Sequence, residues 1–260
     1  MRTAEKLNQN KQSGKDSLIG YFPLGYPSLA ESIEAAVAMV EEGVDVLELG
    51  IPYSDPVMDG LVIQEATEQA LQAGFKLGQV FGAVEQVAER TDAPVLVMTY
   101  WNPVLQFGVE EFAQQLKKAG GAGLITPDLI PDEATDWLKI SDDLELDRVF
   151  LATPSSTPAR VQRAAELSRG FVYAVSTMGI TGERGQVDLL ARRVVASVRH
   201  EAPDALTAVG IGISTGEQAA AVNQYADGAI VGSAFVRAYQ EGGLDGLRQK
   251  VRDIVSGLNK

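Results

Sequence analysis

The sequence contains no cysteine and only one histidine. The absence of cysteine excludes disulfides and thiolate ligands for a metal. The single histidine, His200, falls at the end of a helical pattern just before Pro203. One histidine without a partner forms neither a metal site nor a catalytic triad, and scattered acids alone do not replace them. We therefore expect no metal site in this protein.

Long apolar runs and basic charge are also scarce. No stretch reaches 18 apolar residues, and residues 1–16 are polar with no apolar segment behind them, which predicts neither a membrane span nor a signal peptide. The 22 basic and 35 acidic residues give a formal net charge of -13. This charge argues against binding to nucleic acid or to anionic membranes. We expect a cytoplasmic protein with neither partner.

The chain does contain a regular alternation of short apolar runs and amphipathic stretches, with 45% hydrophobic residues to form a core. Strands are predicted at 18–24, 46–50, 94–100, 122–125, 148–152, 171–175, 206–209 and 228–231. Helices are predicted at 28–42, 62–73, 77–89, 109–119, 132–141, 159–168, 188–199, 216–224 and 244–258.

Eight strand-then-helix units in this length predict an α/β fold, a closed (β/α)8 TIM barrel with its active site at the C-terminal face of the strands. The alternative is an open doubly wound sheet. It is less favoured because no Gly-x-Gly-x-x-Gly follows the first strand. Residues 17–260 are predicted to form one barrel domain. Residues 1–16 lack the apolar spacing of a packed helix and are expected to lie outside the core.

The stretch 46–64, VLELGIPYSDPVMDGLVIQ, carries two acids in different backbone settings. Glu48 lies near the end of an apolar strand, and Asp59 lies in a turn-rich loop. Taken singly, Glu48 is equally explained as a buried acid bonded to backbone donors, and Asp59 as a helix cap. Burial raises the pKa of a strand carboxyl, whereas a loop acid is expected to stay ionised. Two carboxyls with separated proton affinities are the usual pair for acid/base catalysis.

Glycine-rich loops follow the last three strands, at 177–187, 210–214 and 232–234. Small residues that open a helix there favour a phosphate site, although tight turns are the plainer explanation. The 177–187 loop is either a lid over a ligand or a mobile surface loop. Apolar or aromatic residues near the strand ends are candidates for contact with a flat aromatic substrate, with core packing as the alternative. They are Tyr21, Met98, Tyr100, Ile125, Tyr173 and Ile211.

The motifs ELGIPYSDP, MDG, IQ, YWNP, STMGITG, GIGIS and GSA occur in this order from about residue 18 onward. Together they resemble those of tryptophan synthase alpha subunits. The resemblance implies a (β/α)8 barrel that cleaves indole-3-glycerol phosphate to indole and glyceraldehyde 3-phosphate, in the last steps of L-tryptophan biosynthesis. It also implies an αββα complex in which a beta subunit, which holds the pyridoxal phosphate, receives the indole. No cofactor is then expected in this chain.

The resemblance also implies roles for individual residues. Glu48 corresponds to the family's general acid/base, and Asp59 to its second acid. Tyr21 and Tyr173 correspond to residues that border the substrate. The phosphate-binding positions correspond to Gly182, Gly212, Ile213, Gly232 and Ser233. The partner interface corresponds to Asp55, Pro56, Asn102 and Pro103.

Three departures from the family pattern and two other functions remain open at this point. Leu61 follows Gly60 where proline is common, Met58 replaces a smaller residue, and Thr177-Met178 stands where some members have Arg-Ser. Another phosphate-binding barrel, such as a sugar-phosphate isomerase or a prenyltransferase, would share the glycine loops. A subunit with a weak lyase site, whose main role is to activate the beta subunit allosterically, would share the partner surface.

Overall fold

The computed structural model describes residues 2–175, 184–210 and 212–258, and of 184–187 only the backbone. The described strands are β1 Leu18–Pro23, β2 Val46–Gly50, β3 Val95–Met98, β4 Gly123–Ile125, β5 Asp147–Val149, β6 Leu151–Ala152, β7 Val172–Val175, β8 Thr207–Gly210 and β9 Gly228–Val231. The described helices are α1 Thr3–Gln12, α2 Leu29–Glu41, α3 Leu61–Gln72, α4 Gln79–Arg90, α5 Trp101–Phe107, α6 Val109–Lys118, α7 Thr135–Asp143, α8 Pro158–Leu167, α9 Arg184–Glu201, α10 Gly216–Asn223 and α11 Ser233–Leu258, with a 3-10 turn at Pro131–Glu133.

The strands form one parallel sheet in the order β5-β4-β3-β2-β1-β9-β8-β7-β6. The two edge strands, β5 and β6, are separated in the chain by Phe150 alone and are two pieces of one strand. The sheet therefore returns to its own beginning, as in a closed barrel of eight strands. This confirms the predicted (β/α)8 barrel and excludes the open sheet.

Two hydrophobic layers hold the barrel together. A large layer fills the space between the strands and the surrounding helices. A smaller cluster fills the barrel interior, and its buried strand members are Ile19, Val46, Leu96, Ile125, Val149, Ala208 and Ile230. Strands buried on both faces read as near-continuous apolar runs, which is why they were recognisable in the sequence.

The expectation that the N-terminal segment lies outside the core is wrong. Residues 3–12 form α1, and its Leu7 is fully buried in the interior cluster of the barrel. The backbone N–H of Thr3 donates to Asp147 Oδ2 at 3.0 Å, and Lys11 Nζ pairs with Asp227 at 2.8 Å. Leu7 is the one apolar residue of α1 that is fully buried, and polar and ionic contacts supply the rest of its attachment. This helix therefore has no conspicuous apolar stripe. A domain boundary at residue 16 stays a prediction.

Three other elements differ from the sequence prediction. Residues 101–107, expected as a loop, form α5, in which Pro103 occupies the first turn, where proline is tolerated. Helix α9 begins at Arg184 rather than at 188. Residues 233–258, α11, consist of two helices that meet at Gly243, which has the non-helical angles φ 60° and ψ -151°. The second agrees with the predicted helix 244–258, and the first, which begins at Ser233, was not predicted.

Local sequence signals set where helix α2 begins and ends. Ser28 caps α2 by accepting the N–H of Glu31 at 3.2 Å, as its capping-box pattern predicts. Gly43 follows the end of α2 with a φ of 113°, a conformation that glycine adopts at low cost.

Among the described helices, none is long and apolar enough to cross a bilayer.

Candidate active site

A cavity of about 970 Å³ opens at the carboxyl ends of the strands, on the face that the barrel fold predicts. Its walls come from the first, second, third, sixth, seventh and eighth strands of the barrel, from the turns that follow several of them, and from helices α3 and α11. The lining residues that matter below are Tyr21, Glu48, Met58, Asp59, Gly60, Leu61, Met98, Tyr173, Gly210, Gly212, Ile213, Ser214, Gly232, Ser233, Arg237 and Lys250.

Glu48 occupies the middle of β2, in register with Tyr21 of β1, and lines the cavity. Glu48 is 1% exposed to solvent, and neither of its carboxyl oxygens has a hydrogen-bonding partner among the described residues. Burial raises its pKa from 4.5 to about 8. The backbone donors that would make it a satisfied structural acid are absent from the described part of the chain. A buried, unpartnered carboxyl facing a cavity is free to exchange a proton with a ligand.

Asp59 lines the same cavity from the loop between β2 and α3. The hydroxyl of Tyr100 lies 3.4 Å from its Oδ2. Burial raises the pKa of Asp59 to about 6, while the hydrogen bond from Tyr100 acts to lower it. The acid therefore stays mostly ionised at neutral pH, as expected, although burial acts on both carboxyls. The two groups differ in pKa by about two units, which is the separation that acid/base pairs need.

The predicted ring-contact residues do not all reach the cavity. Tyr21, Met98 and Tyr173 line it. Burial, together with the charges of Glu48 and Asp59, raises the pKa of Tyr173 far above its usual range, so this phenol stays neutral. Ile125 is fully buried in the barrel interior and lies outside the cavity lining. Its contact with a ligand stays a prediction. Ile211 falls outside the described residues.

The glycine-rich turns after β8 and β9 line the same cavity. Gly212 has a φ of 70°, and a side chain there would be strained. Ser233 opens α11, and its backbone N–H and that of Ala234 have no hydrogen-bond partner in the described part of the chain. Free N–H groups at a helix start favour an anion. Ile213 and Gly232 line the same region, whereas Gly182 lies outside the described residues.

Two features of the site were not predicted from the sequence, one beside the cavity and one in its lining. Tyr100 was noticed only as an aromatic residue near a strand end, and its contact with Asp59 was missed. The signal was its position directly after the third strand, beside the strand that delivers Asp59. Arg237 was missed altogether. It lies four residues after Ser233 on α11 and so one helical turn along the same side.

The predicted interface residues lie on two elements: Asp55 and Pro56 in the loop that also carries Asp59, and Asn102 and Pro103 in the first turn of α5. Asp55 and Asn102 are exposed, while Pro56 and Pro103 are half-buried. Each element also exposes a large apolar side chain: Val57 of the loop is 79% and Leu105 of α5 is 53% exposed. No group of three or more His, Asp or Glu side chains within residues 2–175, 184–210 and 212–258 is arranged to hold a metal.

Known proteins share both the sequence and this architecture. The family model described as tryptophan synthase alpha chain matches residues 7–258. A tryptophan synthase alpha chain of Leifsonia xyli subsp. xyli is 59% identical over 243 residues, which cover 94% of this chain and 93% of that one. One of Mycobacterium intracellulare is 50% identical over 250 residues, with coverage of 96% and 92%. A chain in a structure of Mycobacterium tuberculosis tryptophan synthase superposes with a TM-score of 0.93 at 47% identity, covering 100% of this chain and 98% of that chain. This chain therefore belongs to the tryptophan synthase alpha chain family.

Proposed function

We propose that this chain cleaves indole-3-glycerol phosphate by a retro-aldol reaction, with Glu48 as the acid/base and Asp59 as the second acid. The observation that carries this assignment is a pair of cavity-lining carboxyls with pKa values of about 8 and about 6, in one cavity that ends at anion-favouring glycine turns. An indole ring fits between the carboxyls and the tyrosines, and the phosphate fits the turns after β8 and β9.

Glu48 carries the proton transfers. At neutral pH it is mostly protonated, since its pKa is about 8, and it donates this proton to C3 of the indole ring. The bond between C3 and the adjacent glycerol carbon then breaks, its electron pair returns to the ring, and the hydroxyl on that carbon becomes an aldehyde. The hydroxyl proton passes to the Glu48 carboxylate, which restores the acid. Protons and electrons balance within one turnover.

Asp59 stabilises the charge that the ring acquires. Protonation at C3 places positive charge on the indole nitrogen, and an ionised carboxylate that accepts its N–H lowers the energy of that intermediate. Asp59 is mostly ionised above pH 6 and lies in a cavity with limited water, where such a contact is strong. The ring itself accepts the proton that makes the bond breakable, so the reaction requires no cofactor in this chain.

The N–H groups that open α11 and the turn at Gly212 hold the phosphate. Backbone donors bind an anion without a cluster of basic side chains, which suits a chain with a net charge of -13. Binding of the phosphate by these N–H groups positions the indole ring of the substrate against the two acids.

Membership of the family implies a lyase with a beta-subunit partner. We further assign the partner surface to Asp55, Pro56, Asn102 and Pro103, in an αββα complex whose beta subunit holds the pyridoxal phosphate and receives the indole. The exposed apolar Val57 and Leu105 are neighbours in sequence of these residues and would be covered by a partner bound there.

The test is indole release from indole-3-glycerol phosphate by the purified chain, with and without a tryptophan synthase beta subunit. We expect weak activity alone and a large rise with the partner. Glu48→Gln and Asp59→Asn are each expected to remove about 10²- to 10⁴-fold of the rate. Normal turnover in Glu48→Gln would refute the assignment. Absence of indole under both conditions from folded protein would favour another phosphorylated substrate, and activity only in the complex would favour a mainly allosteric subunit.

A further inference from the structure

Tyr100 is held at two points beside the loop that carries Asp59. Tyr100 follows β3, occupies the N-cap position of α5 and is 5% exposed. The backbone N–H of Met58 donates to its hydroxyl oxygen at 2.9 Å, and the same hydroxyl lies 3.4 Å from Asp59 Oδ2. The hydroxyl thus contacts two consecutive residues of the loop.

The direction of these hydrogen bonds follows from the atoms. A backbone N–H only donates, so the phenol oxygen accepts from Met58. Its single proton is then available for the carboxylate of Asp59, which only accepts when ionised. Burial and the neighbouring Asp59 raise the pKa of Tyr100 above its usual range, so the phenol keeps this proton at every pH at which the protein works.

The ring of Tyr100 is fixed in turn. Tyr53 stacks on it with ring centroids 5.0 Å apart and planes inclined by 27°. The hydroxyl of Tyr53 lies 3.4 Å from Asn102 Nδ2, on the first turn of α5. Tyr100, which follows the neighbouring strand β3, therefore links two parts of the 51–60 loop. Its ring stacks on Tyr53 near the start of the loop, and its hydroxyl contacts Asp59 near the end. A side chain in such a stack loses its rotamer freedom on folding, which pre-organises the hydroxyl.

We propose that Tyr100 is a positioning residue for the reaction: its hydroxyl orients the Asp59 carboxylate toward the substrate ring, and stacking by Tyr53 holds Tyr100 in place. This inference rests on the proposed role of Asp59 and adds to it the group that aims the carboxylate. Tyr100 is not in the cavity lining, so it acts through Asp59 rather than on the substrate.

Other titratable groups face Asp59 from the surrounding elements. Glu48 on β2, Tyr21 on β1 and Tyr173 on β7 share its end of the cavity, and electrostatic coupling links both tyrosines to Asp59. Arg237, Glu241, Lys250 and Asp253 of α11 line the cavity further along. Glu48 and Tyr173 keep their protonated forms near pH 6, so Tyr100 is the neighbour whose removal changes Asp59 most directly.

The experiment compares the pKa of Asp59 in the wild type and in Tyr100→Phe, which removes the hydroxyl and keeps the stacked ring. The carboxyl is followed by NMR of ¹³C-labelled aspartate, with Asp59→Asn to identify its resonance, and kcat and KM are measured from pH 5.5 to 8.5. The matched control is Tyr225→Phe, since the Tyr225 hydroxyl donates to Asp188 at 2.9 Å outside the cavity. Tyr53→Leu tests the stack without touching the Tyr100 hydroxyl.

We expect Tyr100→Phe to raise the pKa of Asp59 by about one unit, because a hydrogen bond that favours the charged form is lost. The lost ionisation alone lowers kcat about fivefold at pH 6 and less than twofold at pH 7.5, with little change in KM. Tyr53→Leu is expected to shift the pKa in the same direction by less, and Tyr225→Phe to shift nothing.

An unchanged Asp59 pKa in Tyr100→Phe would overturn the inference, and so would a loss of activity that is equal at every pH. Should Tyr100→Phe fail to fold, a wild-type pKa of Asp59 in Tyr53→Leu would overturn it as well. The NMR titration does not depend on turnover. Full activity of Asp59→Asn, which would refute the proposed function, is therefore distinguishable from a failure of the Tyr100 contact.

Discussion

At the scale of single residues, the protein keeps an acid where a hydrophobic residue would be more stable. Glu48 sits among the buried side chains of β2 with no hydrogen-bonding partner in the described part of the chain. Leaving a buried carboxyl unpaired costs free energy, and proteins retain such groups chiefly at functional sites. Two measurable consequences follow from the two carboxyls.

The first consequence is a bell-shaped dependence of kcat/KM on pH. Asp59 acts as the anion, so activity rises as pH increases through about 6. Glu48 acts first as an acid, so activity falls as pH increases through about 8. Steady-state indole release between pH 5 and 9.5 measures both limbs. In Asp59→Asn the acidic limb is expected to disappear from the residual activity, and a limb that persists would contradict the role of Asp59.

The second consequence is that Glu48→Gln stabilises the inactive protein. The folded-state pKa of about 8 lies above the unfolded value near 4.5, so the folded state gains a proton relative to the unfolded chain between these values. The stability associated with that proton is complete below pH 4.5 and is lost as pH rises toward 8. The glutamine variant avoids this loss, which amounts to about 3 kcal/mol at pH 7.

Urea unfolding of both proteins at pH 5, 7 and 8 tests this stability prediction. The free energy of unfolding of Glu48→Gln is expected to exceed that of the wild type by about 1–3 kcal/mol at pH 7, and by much less at pH 5. A variant less stable than the wild type at every pH would show that the carboxyl is paired in solution.

At the scale of elements, the start of α3 explains one departure from the family pattern. Leu61 is the first residue of α3 and is 63% exposed, and Gly60 before it is extended, with ψ 157°. Proline is favoured at this helix position because the N–H there has no helical partner. The extended conformation of Gly60 also suits a following proline. Leucine and proline therefore hold the Asp59 loop in the same geometry.

We accordingly expect Leu61→Pro to keep both fold and activity. Its free energy of unfolding should be unchanged or up to about 1 kcal/mol higher, because proline restricts the unfolded chain. Thermal unfolding and indole release measure the two properties, with exposed Glu68→Pro in the interior of α3 as the control, which is expected to destabilise the protein because it removes a helical hydrogen bond. A loss of activity in Leu61→Pro above tenfold would show that the leucine side chain has a role in the site.

Helix α1 is the element whose importance the sequence concealed. Leu7 of this helix packs into the barrel interior, and the Asp147 carboxylate accepts the backbone N–H of Thr3, the first residue of the helix. We expect Leu7→Ala to lower the free energy of unfolding by about 2–4 kcal/mol through the cavity left behind. Exposed Gln9→Ala on the same helix is the control, with little change expected. Urea unfolding measures both, and a neutral Leu7→Ala would mean that α1 is detached from the barrel in solution.

At the scale of the whole molecule, the cavity opens at the carboxyl ends of the strands, and the loop that brings Asp59 to it also exposes Val57. A net charge of -13 opposes the approach of an anionic substrate at long range. Local backbone donors then have to supply the attraction. The proposed partner surface includes Asp55 and Pro56, within a few residues of Asp59, so a partner bound there would influence the site through the 51–60 loop.

The partner surface is tested by Leu105→Lys on α5, a 53% exposed side chain next to Pro103. A buried lysine at the edge of a protein contact is expected to weaken binding of the beta subunit at least tenfold, or about 1.4 kcal/mol. The charge-matched control is Gln86→Lys on the exposed face of α4. Titration of the activation of indole release by the beta subunit measures the affinity, and equal affinities for both variants would place the contact elsewhere.

The sequence was sufficient where one local cause decided the outcome. Apolar runs marked every strand, because strands covered on both faces must be continuously apolar. Prediction from the sequence failed where the outcome depends on contacts between residues of different elements. The polar residues of α1 hid a core helix because their partners, such as Asp147 and Asp227, lie at the bases of distant strands.

By itself, the sequence determined the closed barrel, the two acids, the glycine turns and the family, because alternation, turn chemistry and motif order are properties of neighbouring residues. The tertiary structure alone decided the proton affinities of Glu48 and Asp59, the closure of the barrel by Leu7 and the hold of Tyr100 on Asp59. These depend on burial and on contacts between residues tens of positions apart. Desolvation and hydrogen bonding act through space, so they appear only once the chain has folded.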